Sequence, residues 1–167
     1  MARNTTLSFE FYPPQTQEGV TKLMQTAKEL NEYNPEFFSV TFGAGGSTKE
    51  KTLATVLDLK KSGFNATPHI SCISSSKAEI KELLDKYKSN KINHLVALRG
   101  DNPSGSINFG ELNYANELVN FIKSEMGDTF KIDVGAYPEV HPESETAKQD
   151  FINFKNKVEA GADSAIT

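Results

Sequence analysis

A single cysteine, Cys72, and three histidines in separate segments are all that the 167 residues offer as thiol and imidazole ligands. One cysteine cannot form an internal disulfide, and one thiol with scattered histidines does not make a zinc site, so no metal is expected and a reducing cytoplasm fits. Long apolar runs are also missing: none nears the roughly 18 residues of a membrane span. The opening MARNTT is too polar and short to read as a signal peptide. Basic clusters are absent too. Lys and Arg are spread along a chain of net charge −4, which argues against a nucleic-acid groove or an anionic membrane as partner. These absences leave a cytoplasmic globular chain, about one domain by length.

What is present is an alternation. Short apolar runs begin at Leu7, Phe37, Ala66, His94, Lys131 and Ser164, about 30 residues apart. Between them lie segments whose apolar residues recur at three and four: Val20, Leu23, Met24, Ala27 and Leu30; Leu53, Val56 and Leu57; Ile80, Leu83, Leu84 and Tyr87; Leu118, Val119 and Ile122; Phe151, Phe154 and Val158. Ser47 with Glu50 and Ser76 with Glu79 form capping boxes at two helix starts. The spacing suits right-handed βαβ crossovers and a parallel sheet. This is an α/β chain of five βα units plus a sixth strand. A closed (β/α)8 TIM barrel takes about 250 residues, so residues 1–167 read as a single partial TIM barrel, incomplete at its C-terminus. A six-stranded doubly wound sheet is the other architecture the pattern permits.

In both architectures ligands sit at the C-terminal ends of strands, and the residues there are polar. LSFEF ends near Glu10, FFSVTF at Thr41 before GAGGST, ATPHI at His69, HLVAL before Arg99-Gly100-Asp101, and the fifth run before Tyr137 and His141. Strand alternation puts Leu7, Phe9 and Phe11 on one face and Ser8, Glu10 and Tyr12 on the other. If the phenylalanines pack under helices, Glu10 points into the barrel mouth. There, poorly solvated, its carboxyl would be a general acid near neutral pH; the competing reading is a buried ion pair with Arg99. FGAGGST offers backbone N–H groups for a phosphate or a flavin edge, or is simply a tight βα turn. Arg99 and Asp101 flank a glycine, so one of them faces a ligand; Asp101 either sets the electrostatics there or holds a helix-starting turn. His94 opens its strand at the opposite, stability face. YPEVHPES is stiffened by two X-Pro steps that project Tyr137 and His141. Tyr12, Tyr87 and the remaining phenylalanines read as packing, and Cys72 as a small buried hydrophobe.

Taken together, SFEFYPP, SVTFGAGGST, TPHISC, HLVALRGD, AYPEVHPES and KVEAGADSAIT resemble methylenetetrahydrofolate reductase of the bacterial type, in order, from about Leu7 to Thr167. The resemblance implies a (β/α)8 barrel with FAD. NADH or NADPH reduces the flavin, and 5,10-methylenetetrahydrofolate then takes the hydride to become 5-methyltetrahydrofolate. It implies Glu10 as the general acid that opens the folate ring to an iminium, and Asp101 as the carboxylate that stabilises that cation. It implies Thr41, His69, Arg99, Gly100, Asp101, Tyr114, Ala115, Tyr137, His141, Asp150 and Lys157 as flavin contacts, and a homo-oligomer for the full-length form. Two further βα units are expected to complete such a barrel. The alternative to an active reductase is therefore an inactive fragment that binds FAD weakly or self-associates through open sheet edges.

Overall fold

Strands and helices alternate throughout a computed structural model that describes residues 6–42, 46–101 and 110–167, without the side chains of 46–48. The order is β1 (Ser8–Phe11), α1 (Gln17–Leu30), β2 (Phe37–Val40), α2 (Gly46–Lys61), β3 (Ala66–Ser71), α3 (Lys77–Ser89), β4 (His94–Leu98), α4 (Ala115–Met126), β5 (Lys131–Gly135), α5 (Ala147–Glu159) and β6 (Ser164–Ile166). Sheet order equals chain order, β1 to β6, and the pairs β1–β2, β2–β3, β4–β5 and β5–β6 are parallel. A doubly wound sheet reverses its order at a switch point; this one does not. The chain is an incomplete (β/α)8 barrel of five βα units and a sixth strand. Two compact units, Met1–His69 and Ile70–Thr167, divide it.

In the first unit the strand alternation separates grease from charge. Phe9 and Phe11 stack on Phe38 at 6.2 and 5.5 Å between ring centroids, and Phe64 meets Phe38 edge-on at 5.6 Å. Glu10, on the other face of β1, lies opposite Ser39. Tyr12, expected to pack, is instead exposed, because the chain leaves the sheet at Phe11. Helix α1 starts at Thr16, whose side chain accepts from Gly19 N–H, and buries Leu23 and Ala27. Helix α2 turns a different face inward than its leucines suggest. Thr52, Thr55, Val56 and Leu59 are buried while Leu53 and Leu57 are only partly so. The threonines tolerate burial because Thr52 Oγ1 donates to Thr41 O at 2.8 Å and Thr55 Oγ1 to Lys51 O at 2.8 Å. The capping box expected at Ser47 falls on a side chain outside the described residues.

The second unit is built on β4 and β5, with Leu95, Val96, Ala97, Ile132 and Val134 buried. Helix α4 lays Leu118, Val119, Ile122 and Met126 against β4 and the neighbouring helices α3 and α5. Helix α3 carries the expected Ser76–Glu79 capping box and buries Ile80, Leu84 and Tyr87. Helix α5 departs from expectation. It buries no residue, and Phe151 and Val158 are 67% and 49% exposed. The three-and-four period is real there, but of its residues only Phe154 is half-buried, and the polar residues described below line a cavity instead. His94 has the structural role its position suggested: its Nε2 lies 2.8 Å from Asp133 Oδ2, and Ser164 Oγ donates to Asp133 Oδ1. Burial of Asp133 works against its charge, but the bonds from His94 and Ser164 outweigh it and hold the carboxyl below its ordinary range. Asp163 ties β6 on from outside: its N–H donates to Ile132 O, and its carboxylate accepts from Ile132 N–H, both at 2.8 Å.

The exits of β3 and β4 are fitted around Gly100. Cys72 N–H and Ile73 N–H donate to Leu98 O and Arg99 O at 3.3 and 2.9 Å, and Ser71 Oγ donates to Arg99 O at 2.7 Å. Gly100 has φ +87°, and a Cβ there would overlap Ser71 Oγ and sit 2.8 Å from Ile73 Cγ2. Cys72 is buried as expected, which pushes its thiol up to about 11 and away from thiolate chemistry.

Gly100→Ala is expected to lower stability by about 2–4 kcal/mol, the sum of a left-handed alanine and an overpacked contact; urea denaturation followed by circular dichroism checks it, and an unchanged midpoint would refute the fit. His69 gives a pH dependence. Burial holds its imidazole at about 4, below the unfolded 6.5, so the fold favours the neutral ring. That contribution is complete above the unfolded value and drains as pH falls toward about 4. Between neutrality and pH 5 the chain is expected to lose about 2 kcal/mol, and His69→Gln to flatten that slope; denaturation series at the two pH values measure both.

Candidate functional site

Three of the expected site residues stand in the first unit. Glu10 and His69 come together from β1 and β3: Glu10 Oε2 is 3.4 Å from His69 Nε2. The two ends of this contact differ, since the His69 side chain is 6% exposed and that of Glu10 51%. No hydrogen bond is aligned on His69 Nε2, which is a buried polar atom without a partner among the described residues. Such an atom is a standing cost unless something satisfies it. The expectation of a poorly solvated Glu10 is not met within residues 6–42 and 46–69, where its side chain is half-exposed. Thr41 follows β2, its N–H bonded to Phe11 O at 2.9 Å and its carbonyl to Thr52. The glycine-rich GAGG segment, read as a phosphate or flavin edge, falls mostly on residues 43–45, outside the described residues.

In the second unit a cavity of about 320 Å³ opens at the ends of β4 and β5. Arg99, Tyr114, Ala115, His141, Asp150 and Lys157, all expected from the sequence, line it together. Of the remaining expected residues, Gly100 serves the packing described above, Asp101 is exposed and does not line the cavity, and Tyr137 stands edge-on to His141 at 4.4 Å. Sequence reasoning missed Asn153 and Asn156, which also line it. A signal for them existed: with Asp150 and Lys157 they form a polar stripe at helical spacing along one side of α5.

The YPEVHPES loop is held by its own bonds. Asp150 accepts from His141 N–H at 3.1 Å and from Ser144 Oγ at 3.2 Å. Glu143 N–H donates to His141 Nδ1 at 3.1 Å, which leaves the ring proton on Nε2. Lys157 Nζ donates to Gly135 O at 2.5 Å; burial lowers its pKa, opposed by Asp150. Arg99 Nη2 sits 2.7 Å from Glu143 Oε2. Tyr114, at the start of α4, makes no side-chain cap bond to the helix, so that end keeps N–H groups available for an anion. Two cations, a helix N-terminus and three asparagines suit a phosphate-bearing ligand. Among the described residues no cluster of His, Cys, Asp and Glu could hold a metal, and no helix is long and apolar enough to cross a membrane.

Comparison with known proteins gives the family. The profile of the methylenetetrahydrofolate reductase family matches residues 1–167. The chain is 43% identical over 162 residues to the 5,10-methylenetetrahydrofolate reductases of Salmonella typhimurium and of Escherichia coli K12, covering 96% of itself and 53% of each relative. It is 38% identical over 177 residues to methylenetetrahydrofolate reductase (NADH) 1 of Arabidopsis thaliana, covering 98% of itself and 30% of that protein. It thus spans about half the length of the bacterial relatives it matches. With a match that runs from its first residue to its last and a cavity lined by the residues its motifs marked, the chain belongs to the methylenetetrahydrofolate reductase family.

Proposed function

We propose that this chain carries the flavin-binding and acid-bearing part of a single barrel domain that reduces 5,10-methylenetetrahydrofolate to 5-methyltetrahydrofolate with NADH or NADPH as donor. The observation that carries this reading is the family match over residues 1–167, because the cavity alone would suit many anionic ligands. The residues present fit FAD. Arg99, Lys157 and the N–H groups at the start of α4 would hold its phosphates, with Tyr114, Ala115, His141, Asp150 and Asn153 around them. Thr41, Gly100, Asp101 and Tyr137 are assigned to the same cofactor from their motifs. His69, whose buried Nε2 lacks a partner, would gain one from a polar ring system. Bound FAD supplies the hydride transfer that no side chain of this protein can perform.

The protein's own contribution is proton handling and charge. Glu10 gives a proton to the folate ring nitrogen whose bond to the one-carbon unit breaks, leaving an iminium cation that Asp101 stabilises from its carboxylate. Glu10 is half-exposed here, and bound ligand would strip water from it. His69, neutral at working pH, stands beside Glu10 without adding a competing positive charge. The oligomer is assigned to the full-length form.

A second reading, a silent fragment that binds FAD weakly or self-associates, draws on the exposed Phe151 and Val158 and on β6 as terminal strand. Purified protein separates the two. A flavin absorbance spectrum and NADH oxidation with menadione support the first; colourless large assemblies support the second. In an active form, Glu10→Gln is expected to keep flavin reduction by NADH within a few-fold and to slow folate reduction by about 100-fold or more. Stopped-flow measurement of the two half-reactions checks this, and equal losses in both would remove Glu10 from the acid role.

A further inference from the structure

One of the cavity's two cations is held by an acid of the cavity wall. Arg99 Nη2 lies 2.7 Å from Glu143 Oε2, and Arg99 Nε donates to Gly100 O at 3.1 Å. The two acids that line the cavity are held very differently. Both oxygens of Asp150 are engaged by the loop, on His141 N–H and Ser144 Oγ, so Asp150 cannot move without unfolding it. Among the described residues Glu143 is tied to the loop by its backbone N–H bond to His141 Nδ1, while its exposed side chain reaches out to Arg99. The guanidinium fork is well suited to a phosphate, and a carboxylate is the nearest internal imitation of one.

We propose that Glu143 is a built-in stand-in anion: it occupies Arg99 while the cavity is free and is displaced by the phosphate of an arriving ligand, and in doing so sets how strongly the site prefers phosphorylated over uncharged flavins. The proposal rests on the flavin reading for its natural ligand but not for its chemistry. The loop stays in place during the exchange because Asp150, not Glu143, anchors it. Glu143 therefore screens Arg99 from weak anions and costs the true ligand part of its affinity.

Three probes on the whole chain test it: FAD and riboflavin by quenching of flavin fluorescence, and inorganic pyrophosphate by calorimetry. Glu143→Gln, which keeps the side-chain size, is expected to tighten pyrophosphate and FAD about two- to five-fold, the worth of an exposed ion pair, and to leave riboflavin unchanged. The gain should shrink with added salt and vanish in an Arg99→Ala background. Unchanged or weaker pyrophosphate binding, an equal gain for riboflavin, or no measurable pyrophosphate binding by either protein overturns the proposal. If pyrophosphate behaves as expected while no flavin binds, the flavin reading fails and the role of Glu143 stands.

Discussion

Alternation along a parallel strand is the constraint on which the rest of this molecule depends. Each strand has to offer one apolar side to a helix and has its other side free for different duties. In the first unit Phe9 and Phe11 satisfy the apolar side by stacking on Phe38, and this alone decides where Glu10 points. His69 shares that polar side from β3, and the two meet at 3.4 Å. In the second unit Ile132 and Val134 are the buried pair, and Asp133 between them is forced inward on the other side. One such acid becomes a structural tie and the other stays half-exposed. The difference lies in their partners: Asp133 accepts from two donors at close range, whereas Glu10 faces a single imidazole that carries no charge near neutrality.

The polar residues at strand ends become useful only because the connecting loops are fastened. Asp150 reaches back from the first turn of α5 to hold the loop that carries His141 and Glu143, so the position of that helix controls the wall of the cavity. Lys157, on the same side of α5, closes the arrangement by donating to the end of β5. The price is that α5 gives its polar stripe to the cavity wall and leaves Phe151 and Val158 exposed.

Much of this was legible in the amino-acid sequence for identifiable reasons. Strand and helix succession follow from a change of period, and the Ser76–Glu79 box marks a helix start without ambiguity. His94 and His69 were separable because one opens a strand and the other lies near the end of one. Six cavity residues were marked by motif. What stayed hidden depends on distance, not pattern. Periodicity shows that Phe151 and Val158 share a side of α5 but not whether that side meets a core. Thr52 displaced Leu53 from the inner face of α2 through a hydroxyl bond to a carbonyl 11 residues away in sequence, which no local rule anticipates. The hold of Glu143 on Arg99 is a side-chain conformation, and composition is silent on that.

Gly100 and Ser71 illustrate how tightly two remote positions can be bound into one decision. The hydroxyl of Ser71 fills the volume that any larger residue at 100 would claim, while bonding the carbonyl just before it. Drift at either position is therefore filtered by the other: a bigger side chain at 100 has to arrive with a shorter one at 71, and even then meets a backbone twist that most residues resist. The pair behaves as a single heritable unit spread over two strand exits.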